Sequence, residues 1–67
     1  MTAKNELRSL ITRAGLTQAD VAAKLGITPQ SFSRKINNRS DFKVSEIELL
    51  SSLLGIADKD AIFFARK

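Results

Sequence analysis

Gln30 and Arg34 stand four residues apart in a segment whose other members, apart from Phe32 and Ile36, are polar or small. On a helix that spacing sends both side chains out of one face, while Phe32 and Ile36 point the other way. A glutamine carboxamide can pair bidentately with adenine, and an arginine guanidinium with guanine. No comparable arrangement for catalysis exists. The 67 residues contain no cysteine and no histidine, so disulfides, thiolate or imidazole metal sites and Cys- or His-based catalysis are excluded. The acidic pairs Glu46/Glu48 and Asp58/Asp60 each suit the first turn of a helix, where the helix dipole favours negative charge. There is no phosphate-binding glycine loop and no nucleophile beside a base. The chain is therefore read as a non-enzyme without cofactor, metal or small-molecule substrate.

These residues need a frame to present them, and apolar spacing predicts one made of helices. Leu7, Leu10, Ile11 and Ala14 recur at i, i+3, i+4 and i+7, and Gly15 ends that first helix. Thr17 is a good N-cap, Asp20 adds charge to the following turn, and Val21, Ala22 and Leu25 supply the next stripe before Gly26. Thr28-Pro29 opens a third helix, since a proline at the first helical position loses nothing by lacking an N–H. Asn37-Asn38 closes it, asparagine tolerating the left-handed cap. Phe42 tucks a loop onto the core. Ser45 with Glu48 makes a capping-box pattern for a fourth helix with Ile47, Leu50 and Leu54 buried. Asp58 caps a last short helix through Ala61 to Phe64. No alternating run is bounded by hairpin turns. The expectation is one all-α domain of five short helices spanning residues 1–67, without repeats or linkers.

Charge is unevenly placed. The net charge is +4. Residues 1–43 hold eight basic against three acidic side chains, and residues 44–67 three against four. A basic half beside a near-neutral half suits a polyanion on one side and packing on the other. Lys4, Arg8 and Arg13 are read as surface charges. The N-terminal residues lack a secretory pattern, and no run of about 18 apolar residues occurs, so a soluble, cytoplasmic protein without membrane association is expected.

Residues 17–37, TQADVAAKLGITPQSFSRKIN, form two capped helices joined by a glycine-containing turn, with Ala22 small enough for a close crossing. This stretch resembles the helix-turn-helix of the phage repressor and Cro family, the xenobiotic-response-element-type (XRE) regulators. The opening T-Q-A-x-V-A, the A-x-x-x-G turn and the polar S-F-S-R helix carry the resemblance, and LSSLLGI at 50–56 resembles the family's fourth helix. It covers about residues 4–56. AIFFARK resembles the end of some short phage-type regulators.

The resemblance implies a lambda-repressor-like domain that binds an operator in double-stranded DNA as a transcriptional regulator, repression being favoured over activation. By position it implies base contacts from Pro29, Gln30, Ser31, Ser33 and Arg34, Pro29 offering only apolar surface where a polar residue is commoner. Thr17 and Gln18, at the start of the second helix, resemble a phosphate clamp, and Asn37, Arg39 and Lys43 are further phosphate candidates. Plainer readings stand beside these. Gln18 and Ser31 suit any helical first turn, Asn37 either holds phosphate or ends its helix, and Arg34 and Lys35 could form a solvated face, Lys35 especially.

Ile62, Phe63 and Phe64 cannot all face inward from one short helix. Either two pack on Leu50 and Leu54 while the third closes the open end, or one or two join Leu49 and Leu53 in a homodimer contact on DNA. The competing function on the same scaffold is an antitoxin-like or adaptor module that holds a protein partner. A further possibility is the N-terminal domain of a longer regulator.

Overall fold

A computed structural model describes residues 1–65, so Arg66 and Lys67 of the AIFFARK ending lie outside the described residues. Five helices follow one another: α1 (Lys4–Arg13), α2 (Gln18–Leu25), α3 (Pro29–Ile36), α4 (Val44–Leu54) and α5 (Lys59–Phe63). No strand occurs among the described residues. The all-α, five-helix expectation is met.

The same local device starts three of these helices. A residue just outside the helix and one in its second turn are both apolar and both join the core: Leu16 with Val21, Ile27 with Phe32, and Phe42 with Ile47. Such pairs fix the angle at which the chain enters a helix. Thr17 and Thr28 complete the first two starts, their hydroxyls accepting the backbone N–H of Asp20 and Ser31 at 3.1 Å each. The Asp20 carboxylate returns the favour to the Thr17 N–H at 2.9 Å.

α4 departs from the expected Ser45/Glu48 box. Its N-cap is Lys43, and Glu46 supplies the carboxylate that accepts the Lys43 N–H at 2.8 Å. Ser45 is exposed, and Glu48 pairs instead with Lys59 across to α5 at 3.3 Å. The box shifted because Glu46 is fixed from a second side, by Lys35 of α3, a contact that lies outside any local pattern.

The ends are as uniform as the starts. Gly26 takes a left-handed φ of +73° after α2, and Asn38 takes the same role after α3 at +63°. The Ile27 N–H then reaches back to the Ala22 carbonyl at 3.0 Å, and the Arg39 N–H to the Arg34 carbonyl at 2.8 Å. These six-to-one bonds satisfy carbonyls that a helix end would otherwise leave bare.

Leu7, Ile11, Val21, Ala22, Phe32, Ile36, Ile47, Leu50, Ile62 and Phe63 form the core. Ala14 is exposed and Leu54 only partly buried, while Ser51 takes a buried place on α4 that was not expected of it. Phe42 packs edge-on between Phe32 at 5.8 Å and Phe63 at 5.4 Å, so the loop before α4 is tied to both α3 and α5. The N-terminal strap is tied down as well. Thr2 N–H donates to Asn38 Oδ1 at 2.7 Å, and Asn38 Nδ2 donates to the Thr2 carbonyl at 3.1 Å. Among the described residues no helix is long and apolar enough to cross a membrane.

Candidate nucleic-acid interface

The outer face of α3 follows from its inner one. Phe32 and Ile36 are buried completely or nearly so, which leaves the helix no freedom to rotate about its axis. Gln30 and Arg34 are therefore held outward, exposed, with Pro29 beside them at the first turn. Ser31 and Ser33 sit half-buried on the flanks. The Ser31 hydroxyl accepts from the Thr28 hydroxyl at 3.1 Å, which leaves its own proton free to donate outward. Of the five residues named as base contacts, three are fully presented and two are at the margins.

Asn37 makes the contact expected of a helix terminator. Its Nδ2 donates to the Ser33 carbonyl at 2.8 Å and lies 3.3 Å from the Ser33 hydroxyl. Its carbonyl oxygen is left for other use. The bond from the Arg39 N–H to the Arg34 carbonyl folds the chain back at this point, so Ser33, Arg34, Asn37 and Arg39 line one open depression. Two guanidinium groups and an amide around a shallow hollow make a surface suited to phosphate oxygens. Lys43 is exposed further along the same loop.

At the start of α2, Thr17 is exposed and Gln18 half-buried. The Thr17 hydroxyl is engaged inside the capping box, accepting the Asp20 N–H and bonding the Asp20 carboxylate. Hydrogen bonds from the Thr17 N–H and hydroxyl hold the Asp20 carboxyl below its ordinary pKa, with Lys24 adding a little and slight desolvation opposing. Asp20 is therefore anionic at neutral pH. It occupies one edge of this helix end, which leaves Gln18 and the backbone as the groups facing out.

Lys35 corrects the reading of a solvated face. Its ammonium lies 2.6 and 2.8 Å from the two carboxylate oxygens of Glu46, and the two side chains are only 12% and 6% exposed. Burial pushes the Glu46 pKa up, but the bonds from Lys35 and the Lys43 N–H, with the nearby lysine charges, outweigh it and leave the pKa lowered. The long lysine stem runs along the flank of α3 toward α4 instead of toward solvent. Nothing in the spacing of residues 35 and 46 could have revealed this, because the contact joins two helices through the loop between them.

The residues named for a dimer contact separate. Ile62 and Phe63 belong to this chain's own core, 8% and 4% exposed, and offer little surface to a partner. Leu49 is 52% exposed, and with half-buried Leu53 and Leu25 it lines a shallow apolar hollow beside Lys24 and Ser52. Phe64, 58% exposed, lies elsewhere, in a hollow with Met1, Phe42 and Val44. The buried pair and exposed third of residues 62–64 match the reading in which two pack inward.

Compared with known families, residues 7–58 match the family model described as helix-turn-helix. Neither the curated proteins nor the solved structures gave a match to this chain.

Proposed function

Because this chain belongs to the XRE-type helix-turn-helix family, whose members are DNA-binding regulators, we propose that it is a repressor that lays α3 in the major groove of an operator. The observation that carries this reading is the clamped rotation of α3. Phe32 and Ile36 are committed to the core, so Gln30 and Arg34 face outward together. Gln30 reads an adenine and Arg34 a guanine, each by a bidentate pair. Pro29 supplies an apolar surface to a thymine methyl. Ser31 and Ser33 contribute at the edges of the footprint.

Backbone contacts flank the readers. Thr17 and Gln18 at the start of α2 take phosphate on one side, the helix end itself favouring an anion. Asn37, Arg39 and Lys43 take it on the other. One reading helix spans too few base pairs for useful specificity. Two copies therefore occupy a pseudo-palindrome with half-site centres about 10 to 10.5 base pairs apart. Leu49, 52% exposed, beside half-buried Leu53 forms one apolar patch for contact between copies, and Phe64 forms a second, separate one. Repression follows from occupancy, since a bound domain obstructs polymerase.

Selection of bound duplexes from a random pool tests the proposal directly. The expected product is a two-fold symmetric motif whose half-sites contain an adenine and a guanine at neighbouring positions. Affinity for that motif should fall steeply with salt, by about 0.9 in log K per log salt for each phosphate neutralised. A slope near zero, or recovery of no motif, would refute the reading.

A further inference from the structure

Lys35 belongs to the reading helix yet is withheld from the surface that helix offers. A lysine on the flank of a helix lying beside phosphates would ordinarily stretch to one of them, because its four-carbon stem is flexible and its charge compact. Here the ammonium is held by both oxygens of Glu46 at 2.6 and 2.8 Å, in a site where neither side chain is more than 12% exposed. The contrast on the same helix α4 is Glu48, whose bond to Lys59 is 3.3 Å long between side chains 65% and 43% exposed. An exposed pair of that kind holds its partners weakly.

Glu46 has a second task. The oxygen nearer Lys35 also accepts the Lys43 N–H at 2.8 Å, which fixes the end of the loop that carries Arg39. One buried carboxylate thus joins the helix proposed to read bases to the loop proposed to hold phosphate.

We infer, building on the DNA reading above, that Glu46 is a positioning residue for specificity: it keeps Lys35 off the phosphate backbone and holds α3 in register with the 39–43 loop. A phosphate contact adds affinity to every sequence alike and carries no base information. Freeing Lys35 would raise binding to arbitrary duplex while drawing α3 toward the backbone and away from the bases. Neutralising this cation inside the fold therefore widens the gap between operator and non-operator DNA.

The test compares the wild-type chain with Glu46→Gln, the double variant Lys35→Met/Glu46→Gln, and Glu48→Gln as a control that removes the same charge from the same helix. Glutamine keeps an oxygen for the Lys43 N–H, but a neutral amide does not hold a buried ammonium. Binding is read by fluorescence anisotropy over a salt series, on the selected operator and on a scrambled duplex. Glu46→Gln is expected to steepen the scrambled-duplex slope by about 0.9 and to tighten that binding up to about fivefold near 0.15 M salt. The operator-to-scrambled ratio should fall about tenfold. The double variant should return the slope to wild type, and Glu48→Gln should match wild type throughout. A role confined to folding would lower the melting temperature without moving slope or ratio.

A second measurement uses the wild type alone. The Lys35 ammonium resonances in nitrogen-15 NMR should stay those of a carboxylate-paired group when the scrambled duplex is added. An unchanged slope in folded Glu46→Gln, or transfer of wild-type Lys35 to phosphate on binding, overturns the inference while leaving the DNA reading intact. A flat wild-type salt slope on both duplexes overturns the DNA reading and this inference with it.

Discussion

Asn38 does two jobs that substitution can separate. Its backbone sits at φ +63°, and its carboxamide clasps the backbone of Thr2 through bonds of 2.7 and 3.1 Å. Each bond is worth about 0.5 to 1 kcal/mol here, the lower half of the usual net range, because Asn38 itself is exposed. The pair contributes about 1 to 2 kcal/mol. Left-handed backbone costs an ordinary L-residue about 1 to 2 kcal/mol, asparagine less and glycine nothing.

Asn38→Gly loses the clasp and gains a small relief of strain, for a net loss of about 0.5 to 1.5 kcal/mol. Asn38→Ala loses the clasp and adds strain, for about 2 to 3 kcal/mol. At about 4 to 8 °C per kcal/mol for a domain of this size, the alanine variant should melt roughly 8 to 24 °C lower, with glycine between it and wild type. Thermal unfolding followed by far-ultraviolet circular dichroism reads both. A glycine variant as stable as wild type would show that the clasp contributes no more than the strain that glycine relieves. Equal melting of the two variants would refute the strain argument.

Other expected outcomes follow from single contacts. Arg34→Ala should weaken operator binding by about 1 to 3 kcal/mol and relax preference at one base pair per half-site, with Gln30→Ala doing so at a neighbouring one. Binding to all single-base variants of the operator checks this, and uniform weakening with unchanged preference would make Arg34 a phosphate contact. Ser51→Ala should stabilise by about 0.5 to 1.5 kcal/mol in urea unfolding, because the Ser51 hydroxyl is buried with no hydrogen-bond partner among the described residues. Glu46 and Asp20 both have folded pKa values below their ordinary ones, so their stabilisation is complete above the ordinary carboxylate range near 4 and is lost as pH falls through the lower folded values. Stability measured from about pH 6 down to 2 should drop across that window, and less so in Glu46→Gln; an equal drop in both would contradict the Glu46 assignment. Leu53→Ser should abolish cooperative occupancy of paired half-sites in a gel-shift titration while leaving binding to a single half-site unchanged.

The helices and the outward face of α3 were legible because their determinants are local. Thr17 and Thr28 announce helix starts, Gly26 and Asn38 their ends, and Phe32 with Ile36 orient α3, all through residues within one or two turns. The start of α4 was misplaced because two carboxylates, Glu46 and Glu48, both fit a capping pattern, and only Lys35 on another helix decides between them. The same non-local pair turned an expected surface lysine into a buried one. Thr2 escaped notice for a similar reason. Its partner lies 36 residues away, and a threonine near a chain start carries no mark of burial. Residues 62–64 were legible as a group of which only part could be buried. Which of them faced inward depended on α1 and Phe42 closing over α5.

The loop between α3 and α4 has one further consequence. It is moored at one end by Asn38 on Thr2 and at the other by Phe42 between two phenylalanine rings. Ordering a residue's backbone costs about 1 to 2 kcal/mol in conformational entropy. For the span from Asn38 to Phe42 that loss falls on folding, with the mooring contacts offsetting it there. A polyanion reaching Arg39 meets a chain already ordered and has only the guanidinium arm to still, so association loses little free energy to ordering the protein.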